Sequence, residues 1–157
     1  MTFAISIAHA SYAQIPQKDK VTITAVQTIH YTDHIYQPTI KTVQLYPKDK
    51  EGGFPIIHLN SDDQLLLTFD ELENSIKTYS FGIQHCDAEW QPSNLTAMDY
   101  VSGYNEDAIL NGRPSVGTLQ AYTHYESVFP NVYIKPKIAG NYLLKVYEDQ
   151  NKEKLVF

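Results

Sequence analysis

The stretch that decides the fold is "KTYSFGIQHC", Lys77–Cys86. Its side chains alternate cleanly, with Tyr79, Phe81, Ile83 and His85 on one side and Ser80, Gly82, Gln84 and Cys86 on the other. A period of two over eight residues, rich in aromatic and β-branched types, predicts an extended strand. Working outward, "IKTVQLYP" (40–47) alternates and stops at Pro47, and "LLLTFDEL" (65–72) suits a strand leading into a core. "FPIIHLN" (54–60) follows the turn-forming "KDKEGG" (48–53) and is expected to form a hairpin with 40–47. "VTITAVQTI" (21–29), "TLQAYTHYESVF" (118–129) and "NYLLKVYED" (141–149) complete the series of strands, and "KEKLVF" (152–157) begins another. That last strand has no room to finish, so the polypeptide is expected to continue in a larger protein.

"AGNYLLKV" (139–146) narrows the class. A glycine turn followed by Tyr-x-Leu-x-Val places Tyr142, Leu144 and Val146 on one face. It also sets Tyr142 at a corner where its hydroxyl can bond back to the backbone. With the strand that leads towards Trp90, the pattern predicts an all-β, immunoglobulin/fibronectin-III-like β-sandwich in a single domain over 14–157. Between Asp87 and Gly117 the periodicity dissolves. One helical turn is expected near Asn94–Met98, capped by Ser93 or Asn94. A connection this long inside a compact domain tends to be functional.

Residues 1–13, "MTFAISIAHASYA", read as the tail of a secretory signal cleaved after Ala13. The basic n-region is missing, which leaves a buried N-terminal strand as the other reading. The chain's 12 Lys and Arg against 18 Asp and Glu give a net charge of −6 with no basic cluster, so nucleic acid is a poor partner. No run of 18 apolar residues occurs to span a membrane as a helix.

"IQHCDAEW" (83–90) concentrates His85, the single Cys86, Asp87, Glu89 and the single Trp90. His85 and Cys86 are adjacent in a strand, so their side chains point to opposite faces and cannot share a metal or form a thiolate–imidazole pair. His124 is the best alternative partner, reading as lying across the sheet from His85. His30 and His34 are four apart in a β-branched region, where that spacing does not set them side by side. Cys86 reads as a small buried hydrophobe on the inner face, since no neighbouring cation lowers its pKa and Asp87 raises it. Asp87 and Glu89 read as a solvated loop. No cofactor, metal or catalytic constellation is expected. Trp90 reads as a core residue or as part of a contact surface. "GYNEDAI" (103–109) presents Tyr104, Asn105, Glu106 and Asp107 in an acidic, aromatic loop, either a locally bonded turn or a recognition surface.

Taken together, "IKTVQLYP", "FPIIHL", "LLLTFDEL", "YSFGIQHCDAEWQPS", "GYNEDAI", "TLQAYTHYESVFPN" and "KPKIAGNYLLKVYED" resemble the first domain of the plug protein of the type IX secretion system, over about 21–157. The resemblance implies a non-enzymatic periplasmic protein of several β domains. Its implied partner is the very large outer-membrane β-barrel translocon, whose periplasmic opening it occludes. It implies no catalytic or metal residues and no small-molecule substrate. A carbohydrate-binding or adhesion sandwich, with Trp90 and the tyrosines stacking on sugars, is the competing class.

Overall fold

A computed structural model describes residues 28–73 and 75–157 of the chain. The first thirteen residues and most of 21–29 lie outside the described residues, so the expected signal and first strand do as well. Nine strands and one helical turn follow: β1 Ile40–Pro47, β2 Leu65–Glu71, β3 Tyr79–Cys86, α1 Ala97–Tyr100, β4 Val101–Gly103, β5 Asp107–Ile109, β6 Asn111–Pro114, β7 Thr123–Phe129, β8 Ile134–Pro136 and β9 Asn141–Glu148. All pairings are antiparallel. One sheet runs β1-β2-β7-β6, a second β5-β3-β9, and β4-β8 forms a short ribbon. The first order is the A-B-E-D sheet of an immunoglobulin-like sandwich, and β3 and β9 stand as its C and F strands. The protein is an all-β sandwich.

The inner faces meet in an aromatic core. Phe69 stacks on Tyr125 at 5.1 Å, Tyr79 packs edge-on against both, and Phe81 meets Phe129 at 6.1 Å. Each of these side chains is nearly or fully buried, and burying one contributes roughly 1.5–3 kcal/mol. No disulfide joins the sheets, because the single cysteine is free. The alternation read from Lys77–Cys86 explains β3, whose Tyr79, Phe81 and Ile83 enter this core.

β1 departs from simple alternation. Ile40 and, three and five residues later, Val43 and Leu45 all pack towards the core, a spacing that a regular strand cannot satisfy. The register with β2 shifts by one between Lys41 and Gln44, and Thr42 takes the left-handed backbone (φ 51°) of a bulge. One extra residue returns Val43 and Leu45 to the inner face.

The hairpin expected between 40–47 and "FPIIHLN" does not form. β1 pairs instead with β2, and residues 54–60 form an irregular excursion with Phe54 and Ile56 exposed. Pro55 removes a ladder donor, and the run of Leu65, Leu67 and Phe69 offers β1 a more apolar partner. The helical turn lies slightly later than expected. Thr96, not Ser93 or Asn94, caps it in a reciprocal box with Asp99.

Candidate functional site

The outer face of β3 is not exposed. Ser80 and Cys86 are buried, and so is Gly82 between them. What covers Gly82 is the "GYNED" loop: a Cβ placed there would lie 2.9 Å from the carbonyl oxygen of Asn105. The loop is also pinned at its start. Gly103 adopts φ +96°, and a Cβ on it would come within 2.1 Å of the Tyr133 carbonyl oxygen, so only glycine fits. The backbone N–H of Tyr104 then donates to that same carbonyl at 2.7 Å.

This seating brings two rings together at the surface. Tyr104 and Tyr133 lie 6.4 Å apart, tilted by 30°, and are 68% and 53% exposed, beside Val132 at 81%. The carboxylates of the loop hold the arrangement from within. Asn131 Nδ2 donates to Asp107 Oδ2 at 2.6 Å, and the Asn131 side-chain oxygen accepts the N–H groups of Tyr133 and Ile134 at 2.8 and 3.1 Å. Asp107 thereby positions Tyr133 through Asn131. Glu106 pairs with Lys152 at 2.9 Å. Of the four loop residues singled out in the sequence, Tyr104 and Asn105 face solvent, whereas Glu106 and Asp107 are engaged within the fold. Tyr133 and Val132 were not legible as part of this surface, because the β4–β8 pairing that delivers them is a tertiary event.

Trp90 stands apart from this pair. It is 47% exposed, so it is not a core residue. It occupies the left-handed region at φ 59°, an uncommon place for a bulky side chain. Asp87 builds the turn that puts it there: its carboxylate accepts the N–H groups of Glu89 and Gln91 at 3.0 and 2.8 Å, and its carbonyl accepts that of Trp90 at 3.2 Å. Leu95 and Met98 are also exposed on the same connection.

The nucleophile question resolves by geometry. His85 turns towards Tyr142, at 5.2 Å between rings, and towards Tyr100, at 5.9 Å. Cys86 is buried as expected, but not on the inner face: it alternates with Ile83 and His85 and so points the other way, into the covered outer face, with its thiol 3.8 Å from the Gln84 carbonyl oxygen. Burial, with the Asp87 carboxylate adding to it, pushes that thiol above its ordinary value of 9.0. His124 does not lie across from His85. It sits on β7 in the other sheet, with Nδ1 2.7 Å from Asp70 Oδ1 and Nε2 3.5 Å from Glu126 Oε1. The His30 and His34 expectation is also corrected: their rings stack at 4.3 Å, with Tyr36 edge-on to His34 at 4.5 Å. A bend at 31–33 folds the segment back, which a straight strand would not do. Among the described residues no three His, Cys, Asp or Glu side chains gather as a metal-binding group. No helix among them is long and apolar enough to cross a membrane, which says nothing of a β-barrel.

The fold and this surface define an immunoglobulin-like sandwich that displays exposed aromatic side chains on loops held by glycine and by internal carboxylates. The chain belongs to the family described as the type 9 secretion system plug protein 1st domain, which matches residues 40–157. It is also similar to the crystal structure, at 2.30 Å resolution, of a hypothetical protein from Parabacteroides merdae ATCC 43184. The two are 27% identical with a TM-score of 0.77, and the match covers 83% of this chain and 33% of that one. The chain therefore spans about a third of the length of that solved protein. No curated protein matches it.

Proposed function

We propose that this domain is the N-terminal part of a longer, non-enzymatic periplasmic protein that binds the outer-membrane β-barrel translocon of the type IX secretion system and occludes its periplasmic opening. The observation that carries the reading is the match to the plug first-domain family over 40–157. Occlusion requires stiff area rather than a reactive group, and a sandwich closed by a buried aromatic core supplies it. Gating then needs only a competing partner that lowers affinity for the barrel rim, because a ligand shifts an equilibrium by its differential affinity for the two states.

The residues assigned to partner contact are Tyr104 and Asn105, joined by Tyr133, and, on a separate turn, Trp90. Exposed aromatic side chains are typical anchors of protein interfaces. Glu106 and Asp107 act behind this surface by fixing the loop. The test is a pull-down of the full-length protein from detergent-solubilised outer membrane. Recovery of a very large barrel protein, with cross-links formed from a photoreactive group at Tyr104, supports the reading. Absence of the barrel, or retention of the protein on a glycan affinity gel, overturns it.

A further inference from the structure

The sheet β5-β3-β9 stops one strand short of the sheet that immunoglobulin-like sandwiches build around their C and F strands. Leu155–Phe157 begin to fill the place. Leu155 bridges Tyr147 in antiparallel sense, Val156 N–H donates to the Val146 carbonyl at 2.8 Å, and Val146 N–H donates to the Phe157 carbonyl at 2.9 Å. On its other side Val156 accepts the Tyr36 N–H at 2.9 Å. These three residues therefore lie between two backbone edges, as a central strand does.

Beyond Phe157 the place continues as a cleft of about 450 Å³. It is lined by Leu143, Leu144 and Lys145 of β9, by residues 29–30 and 32–36, and by Val43 and Leu45 of β1. Backbone groups along a strand point alternately to its two neighbours. Val146 and Glu148 bond to 157 and 154 on the outer side, so Leu144, two residues from Val146, also points its N–H and C=O into this cleft. Lys145 points its own towards β3. Among the described residues the Leu144 edge meets no strand.

We propose that the cleft is a strand slot, and that its occupant is the polypeptide that follows Phe157 in the full-length protein. It runs on from Leu155–Phe157, antiparallel to β9, and completes the second sheet. The inference rests on the reading above that this domain is followed by further polypeptide, which the greater length of the solved relative, of which the match covers 33%, favours. The direction of Leu155–Phe157 carries the next residues into the cleft rather than away from it. The apolar lining calls for alternating apolar side chains, and the Leu144 backbone offers the bonds of a ladder.

Residue-resolved amide hydrogen exchange on the full-length protein tests it. The Leu144 amide is expected to exchange roughly a hundredfold or more slowly than an exposed peptide amide, in step with Val146 and Glu148. Exchange of Leu144 at the exposed rate, with Lys145 and Val146 protected, overturns the proposal. So does protection of Leu144 that appears only when the solubilised translocon is added, since the slot would then belong to a partner strand. The pull-down reads the plug function independently: a protected Leu144 with no barrel recovered keeps the strand slot and removes the plug.

Discussion

The hydroxyl of Tyr142 donates a 2.8 Å hydrogen bond to the carbonyl oxygen of Ile138, four residues upstream. This bond closes the corner where the chain enters β9, on the half-buried side of a ring that also packs edge-on against His85. Tyr142→Phe keeps the ring and leaves the Ile138 carbonyl without this donor. The expected loss is about 1 kcal/mol, read as a fall in melting temperature of roughly 2–4 °C for a domain of this size. An unchanged midpoint in both thermal and urea unfolding would show that the corner bond contributes nothing.

Glu71 is completely buried. Its carboxylate accepts a 2.6 Å bond from the Tyr79 hydroxyl, and Lys77 Nζ lies 3.4 Å away. Burial alone would raise its pKa, but the bonds from Tyr79 and Thr39 and the Lys77 charge outweigh it and hold the group below 4.5. A lowered carboxyl pKa contributes stability that is complete above the ordinary value and is lost as pH falls through the folded one. Urea midpoints are therefore expected to decline below about pH 4.5, and Glu71→Gln should flatten that decline. Glu71→Ala, which leaves the buried Tyr79 hydroxyl without its acceptor while Lys77 keeps Glu73, is expected to cost about 1–3 kcal/mol at neutral pH. An acid limb of the same slope in the Gln variant would remove Glu71 from the account.

The alkaline side follows from Lys77, which also pairs with Glu73 at 2.9 Å. Burial opposes its charge, but Glu73, Glu71 and Glu148 together raise its pKa above 10.5. A raised lysine contributes stability that is full below its ordinary value and is lost as pH rises through the folded one. Stability is therefore expected to hold up to about pH 10 and decline above it. Lys77→Met should lessen that alkaline decline, and an identical alkaline limb in wild type and variant would contradict it.

Gly103→Ala forces a methyl group into the Tyr133 carbonyl from a backbone of φ +96°. The strain is expected to cost about 1–3 kcal/mol and to release the Tyr104 amide from its 2.7 Å bond. Faster exchange of that amide, with the Leu67 and Phe69 amides unchanged, is the signature. If Tyr104 stays protected, the loop is held by something other than this contact.

Cys86 is 1% exposed and its thiol is raised by burial. Reaction with a disulfide reagent in native buffer is expected to be at least roughly a hundredfold slower than in denaturant. Cys86→Ala should leave barrel recovery in the pull-down intact. Fast native labelling would overturn the buried assignment.

Much of this protein is legible one segment at a time. The alternation in Lys77–Cys86, the apolar run from Leu65 and the glycine-tyrosine corner at 139–142 each imply a strand or a turn from side chains a few residues apart. A period of two is a local property, and it fixes which side chains can share a face. The opposition of His85 and Cys86 follows from the same period, before any partner strand is known.

Other features required the chain to come back on itself. The bulge at Thr42 exists because β1 must match β2 while burying both Ile40 and Val43, and neither strand alone carries that demand. "FPIIHLN" has the composition of a strand, yet β1 takes β2 as its neighbour and 54–60 stays unpaired. The stacking of His30 on His34, the separation of His124 from His85 and the meeting of Tyr104 with Tyr133 all depend on which elements become neighbours. That choice is made by competition among long-range pairings for a shared core, and no window of sequence contains the competitors.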